Sequence, residues 1–223
     1  MSYRQWVFVA VGLFGFGLAL GLAVPGEITG LFAGNVSALK ELGAALVPFE
    51  FSTTLFILRN NVMVLLFSFI FSPILCLVPI LALTVNGGLI SFISAIVVRE
   101  KSFGFLLAGL APHGIFELPA IIIGEAAALS FGAMAVSLLL RRESRSVLVS
   151  VVKRDWGHIL LALVLFFVAG VFHAIIILAL LGEPTRNILV TNLKRNLKYL
   201  MVAFILLVPA AVIETFVTPW LLS

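Results

Sequence analysis

His113 and Glu117 stand four residues apart, between Pro112 and Pro119, in the stretch "LLAGLAPHGIFELPAIIIGEAAALSFG" (106–132). An imidazole and a carboxylate can pair as ions, share a proton or ligate a metal. On a helix, side chains four apart meet on one face. The surrounding residues are apolar enough to lie in a bilayer, where an ionisable group is costly and is a functional candidate by default. By that criterion the candidates are His113, Glu117, Glu125, His173 and Glu214, with Asn60, Asn61 and Asn86 as polar companions.

Two backbone readings fit the prolines. Pro112 suits the first turn of a helix, where its missing N–H has no partner to lose. Such a helix would bring His113 and Glu117 together near its positive end. Pro119 opposes this, because an internal proline removes a helix hydrogen bond. The other reading is a short half-helix over 103–111, a break over 112–118 containing Gly114, and a full span over 119–140. Breaks at membrane depth survive where they are buried in protein or line water, and transporters place ion sites there. His113 and Glu117 would then seal the break as a structural pair, or hold an ion or a divalent metal such as zinc. A catalytic zinc site takes three protein ligands, so His173 or Glu214 would have to complete the set. Glu125 lies eight residues past Glu117, near the same face. It could join the site, pair with a cation such as Arg99, or hold a proton.

Several chemistries lack their motif. The chain has no His-Glu-x-x-His, no Gly-x-Ser-x-Gly and no phosphate-binding glycine loop. Its single cysteine, Cys76, lies in an apolar run and has no internal partner for a disulfide.

The elements that must position these residues follow from composition. Of 223 residues, 62% are hydrophobic and 11% charged, and the mean hydropathy is +1.25. A soluble domain is about a quarter charged. The fold class is therefore all-α: a polytopic membrane bundle forming one domain over 1–223. A span needs about 20 apolar residues. On that measure spans lie at 6–24, 61–82 (kinked by Pro73 and Pro79), 89–98, 119–140, 158–181 and 199–220. That makes about six crossings plus the re-entrant half-helix. Asn86-Gly87 reads as a turn. The polar connections are 26–59, with an amphipathic helix marked by Leu31, Leu39, Leu42 and Leu46, the basic loop 141–157, and a second polar loop at 183–198.

Basic residues orient such a chain. Arg141, Arg142, Arg145, Lys153 and Arg154 place the 141–157 loop in the cytoplasm and both termini with it. The same count leaves 183–198 outside despite its four cations, a conflict with the rule; if the short third span were re-entrant, the N-terminus would change sides. The net charge of +4 serves orientation and lipid headgroups, not nucleic acid. Glycines on the first and fourth spans permit close helix contacts, so a homodimer is the expected assembly, with other membrane proteins as further partners.

Four separated pieces resemble the stage II sporulation protein M family: "RNN" (59–61), "PILALTVNGGLIS" (79–91), "APHGIFELPAIIIGEAAALSFG" (111–132) and "AAVIETFVTP" (210–219). The resemblance covers most of residues 50–220. Its most specific piece is Pro112-His113-Gly114 with Glu117, supported by Asn86-Gly87, Glu214 and Pro219. The resemblance implies a multi-pass plasma-membrane protein. In sporulating bacteria the family member works in a complex that remodels peptidoglycan during engulfment, and similar chains occur in archaea and non-sporulating bacteria. The expected function is thus a non-enzymatic membrane scaffold or transport-type component, with a polar intramembrane site of His113, Glu117, Asn86, Glu125 and Glu214. The alternative is an intramembrane metal-dependent enzyme using His113 and Glu117.

Overall fold

The computed structural model describes residues 1–23, 47–73, 76–139 and 183–223. The amphipathic helix expected before residue 47, the basic 141–157 loop, the span at 158–181 and His173 lie outside the described residues. Those residues form six helices and no strand: α1 (Tyr3–Leu22), α2 (Phe51–Phe71), α3 (Leu77–Glu100), α4 (Phe103–Leu139), α5 (Glu183–Phe216) and the short α6 (Thr218–Leu222). Five helices are long and apolar enough to cross a membrane, as α5 runs on into α6 in one of these stretches.

α1 starts where the Gln5 side chain reaches back to accept the Ser2 N–H at 2.7 Å, satisfying a donor that a helix start leaves unpaired. Ahead of α2, the segment around residue 49 is tied to the end of α5, with Phe49 N–H donating to Thr215 O at 3.2 Å.

Four sequence expectations are corrected. The proposed span at 61–82 is two helices: α2 ends at Phe71, and α3 begins at Leu77 after a reversal through Cys76, which adopts the left-handed region at φ 57°. Pro73 follows the end of α2 and Pro79 sits in the first turn of α3, the two places where proline costs a helix least. The Asn86-Gly87 "turn" lies inside α3, and the expected span at 89–98 is that helix's second half. A Cβ at Gly87 would overlap the Phe14 carbonyl of α1, so Gly87 serves close helix approach instead of a turn.

The third correction concerns the half-helix and break. α4 is one helix of 37 residues running through both Pro112 and Pro119. In a bilayer no water competes for the backbone, and neighbouring helices tolerate proline inside a span. At 1.5 Å per residue, α4 is about 55 Å long, well beyond the roughly 30 Å hydrocarbon core. The polar 183–198 segment is likewise helical, forming the first half of α5.

α4 is shared by two cores. One combines Leu65 and Phe69 of α2, Ala120, Ala127 and Phe131 of α4, and Leu200, Ala203 and Leu207 of α5. The other combines Ala10 of α1, Leu83 of α3, and Ala126 and Leu129 of α4. α2 and α4 run in the same direction: Asn61 meets Glu117, Ser68 meets Glu125, and Gly132 lies against Ser72. α5 runs against both. α1 and α3 lie in backbone contact, because a Cβ at Gly17 would overlap Thr84 and one at Gly21 would overlap Gly88.

Candidate functional site: a His-Glu-Glu cluster between α4 and α5

His113 and Glu117 lie one turn apart on α4, with His113 Nε2 3.8 Å from Glu117 Oε2. Continuity of α4 through Pro112 sets this geometry, since residues four apart on an unbroken helix face the same way. The antiparallel α5 brings in Glu214. One ligand atom from each of His113, Glu117 and Glu214 falls within 4.8 Å of the others, and all three side chains are partly buried.

Two further side chains orient the cluster. Asn61 Nδ2 donates to Glu117 Oε1 at 3.0 Å. His113 Nδ1 lies 3.3 Å from Thr218 Oγ1. In the tautomer that carries the proton on Nδ1, that bond leaves the Nε2 lone pair directed toward the carboxylates, as metal-binding histidines require. His113 and Asn61 each lie ten residues into their helices, about 15 Å from the Phe103 and Phe51 ends. Glu214 lies two residues before the Phe216 end of α5, and Thr218 opens α6.

The charges decide what the arrangement can do. Two carboxylates this close repel, and apolar surroundings screen the repulsion poorly. A neutral imidazole with two carboxylates carries −2, which a divalent cation neutralises. Zinc binds histidine nitrogen and carboxylate oxygen at about 2.0–2.2 Å. Ligand atoms within 4.8 Å of one another are close enough for a single ion to be shared among them.

The other candidates lie elsewhere. Glu125 is fully buried farther along α4 and bonds Ser68 of α2, not the cluster. Asn86 sits on α3, and no hydrogen bond among the described residues joins it to the three. Asn60 is exposed, whereas its neighbour Asn61 faces Glu117. Pro119 is exposed and Gly114 buried. Gly114 is not needed for space, because an added Cβ would meet only Leu110 at 3.9 Å. Sequence reasoning missed Thr218 and Ser68. For Thr218 a signal existed, its position four residues after Glu214. For Ser68 none did, because its partner is 57 residues away.

A protein-family model described as SpoIIM, Stage II sporulation protein M, matches residues 8–177. The match takes in the "RNN", "PILALTVNGGLIS" and "APHGIFELPAIIIGEAAALSFG" pieces and stops short of Glu214. No curated protein and no solved structure matches the chain.

Proposed function

The chain belongs to the stage II sporulation protein M family, and on that premise we propose that it is a non-enzymatic, transport-type component of the cell membrane that binds a divalent cation such as zinc. The observation that carries the reading is the convergence of His113, Glu117 and Glu214 within 4.8 Å. Asn61 and Thr218 orient two of the three ligands. The ion ties α4 to α5 at membrane depth.

Zinc titration of the purified full chain tests this. The wild type should bind one ion per chain, and His113→Ala, Glu117→Gln and Glu214→Gln should each abolish or greatly weaken binding. Undiminished binding in all three variants would remove the site. Flux into protein-loaded vesicles then separates two roles. Flux lost in His113→Ala and Glu117→Gln supports transport, and unchanged flux leaves a scaffold held together by the ion.

One observation favours a second reading, a metal-dependent enzyme. Three protein ligands leave a fourth zinc position open, which is the catalytic pattern, and Glu214 supplies the third ligand that this reading needs. Loss of a hydrolytic activity in the His113→Ala variant would favour this reading over the binding role.

For assembly, we place the homodimer contact on α1. Gly17 and Gly21 are taken by α3, whereas Gly12 and Gly15 have open space around them. Cross-linking through cysteines placed at Gly12 and Gly15 in native membranes checks this contact.

A further inference from the structure

We propose that Glu125 is a proton-binding site, a neutral carboxylic acid in the membrane interior that takes up and gives up its proton along a polar face of α2. Glu125 is 0% exposed and lies eight residues beyond Glu117, about 12 Å farther along α4. Its Oε2 is bonded to the Ser68 hydroxyl. Its Oε1 is buried with no hydrogen-bond partner.

No positive charge compensates it among the described residues. α2 presents Ser68 and the buried Ser72. α5 presents Ala203 beside Gly124 and Tyr199, stacked on Tyr3; of its two acids, Glu214 lies back in the cluster with Glu117 and Glu183 is exposed at the helix start, paired with Arg186. α1 contributes Tyr3, whose hydroxyl is spent on Ile123 O at 2.8 Å. α3 contributes the apolar Leu83. An isolated carboxylate in such surroundings neutralises itself by holding a proton.

Ser68 suits both states of the acid. A hydroxyl donates to a carboxylate or turns to accept from a carboxylic acid, so the pair can exchange a proton without repacking the core. Ser68 also continues a line. Thr54, Asn61 and Ser68 are spaced by seven on α2 and share one face. Asn61 is bonded to Glu117, which links this face to the cation cluster. Toward the Phe51 end, Thr54 Oγ1 is a second buried polar atom without a partner. Glu125 is not a ligand of the cluster, so its proton does not depend on the metal reading.

Infrared difference spectroscopy of the full chain in lipid vesicles at neutral pH tests the proposal. The wild type should show the carbonyl band of a protonated carboxylic acid. That band should shift on exchange into D2O and be absent from Glu125→Gln. Ser68→Ala should keep the band and move it to higher frequency, because the acid loses its hydroxyl partner. A wild type without the band, a band that survives in Glu125→Gln, or one that D2O never moves would overturn the proposal. Should Glu125→Gln fail to fold, Ser68→Ala decides, and an unshifted band there refutes the assignment. Zinc binding measured on the same Glu125→Gln sample should be retained, so failure of the metal site and failure of the proton site are read separately.

Discussion

Asn61 Nδ2 donates to Glu117 Oε1 at 3.0 Å across 56 residues of chain. The bond fixes the carboxylate nearest His113 and sets the register of α2 against α4. Removing it leaves a half-buried acceptor without its donor, which costs about 1–3 kcal/mol. Asn61→Ala should therefore lower the thermal midpoint in detergent. It should also weaken zinc binding by about 10- to 100-fold, the usual penalty for losing a group that orients a ligand. An unchanged binding isotherm would show that Glu117 needs no such support.

Metal binding at the cluster should depend on pH in one direction. Zinc competes with protons for the imidazole and both carboxylates, so binding releases protons. Affinity should fall as the solution becomes more acidic, and calorimetry in buffers of different ionisation enthalpy should register the protons released. A pH-independent affinity would mean that His113 is not a ligand.

The glycines divide into two groups. Gly17, Gly21 and Gly87 have no room for a methyl, because each added Cβ would overlap the backbone of the facing helix. Alanine at any of them should force α1 from α3 and cost stability by more than about 1–3 kcal/mol, the usual range for overpacking. Gly12, Gly15 and Gly114 have room within one chain, and alanine there should leave the monomer's fold unchanged or stabilise it by up to about 1 kcal/mol through helix propensity, while at Gly12 and Gly15 it should weaken the proposed dimer contact. Thermal unfolding of the six variants separates the groups, and similar losses in both would refute the close α1–α3 contact.

Cys76 lies at the α2–α3 reversal, where burial pushes its thiol above the ordinary value. The reactive species is the thiolate, and raising the pKa lowers the thiolate fraction at any pH below it. Maleimide labelling of Cys76 in the folded chain should thus be slower than in the denatured chain near neutrality, with the gap closing as pH rises. Equal rates at neutral pH would contradict the burial.

Much of this arrangement could be read from residues whose signals are local. α1, expected at 6–24, is Tyr3–Leu22, because an unbroken apolar run has only one use in a bilayer. The His113–Glu117 approach follows from spacing alone. What misled were signals calibrated in water. Pro112 and Pro119 break soluble helices, yet α4 continues because its backbone has nowhere else to bond. Asn86-Gly87 marks turns in soluble chains, yet here Gly87 makes space for the Phe14 carbonyl. Long-range partners were illegible: nothing near Ser68 announces Glu125, and nothing near Thr218 announces His113 except its distance from Glu214.

The glycine contact between α1 and α3 has a mechanical meaning. Two rods whose backbones touch at Gly17, Gly21 and Gly87 cannot slide past each other without first separating, so they move as a single plate. On the other side of α4, the Asn61–Glu117 and Ser68–Glu125 bonds pin α2 at two heights, which makes a second plate. Among the described helices, a large displacement would most simply be a tilt of one plate against the other, across the face of α4 where Ala126 and Leu129 meet Leu83.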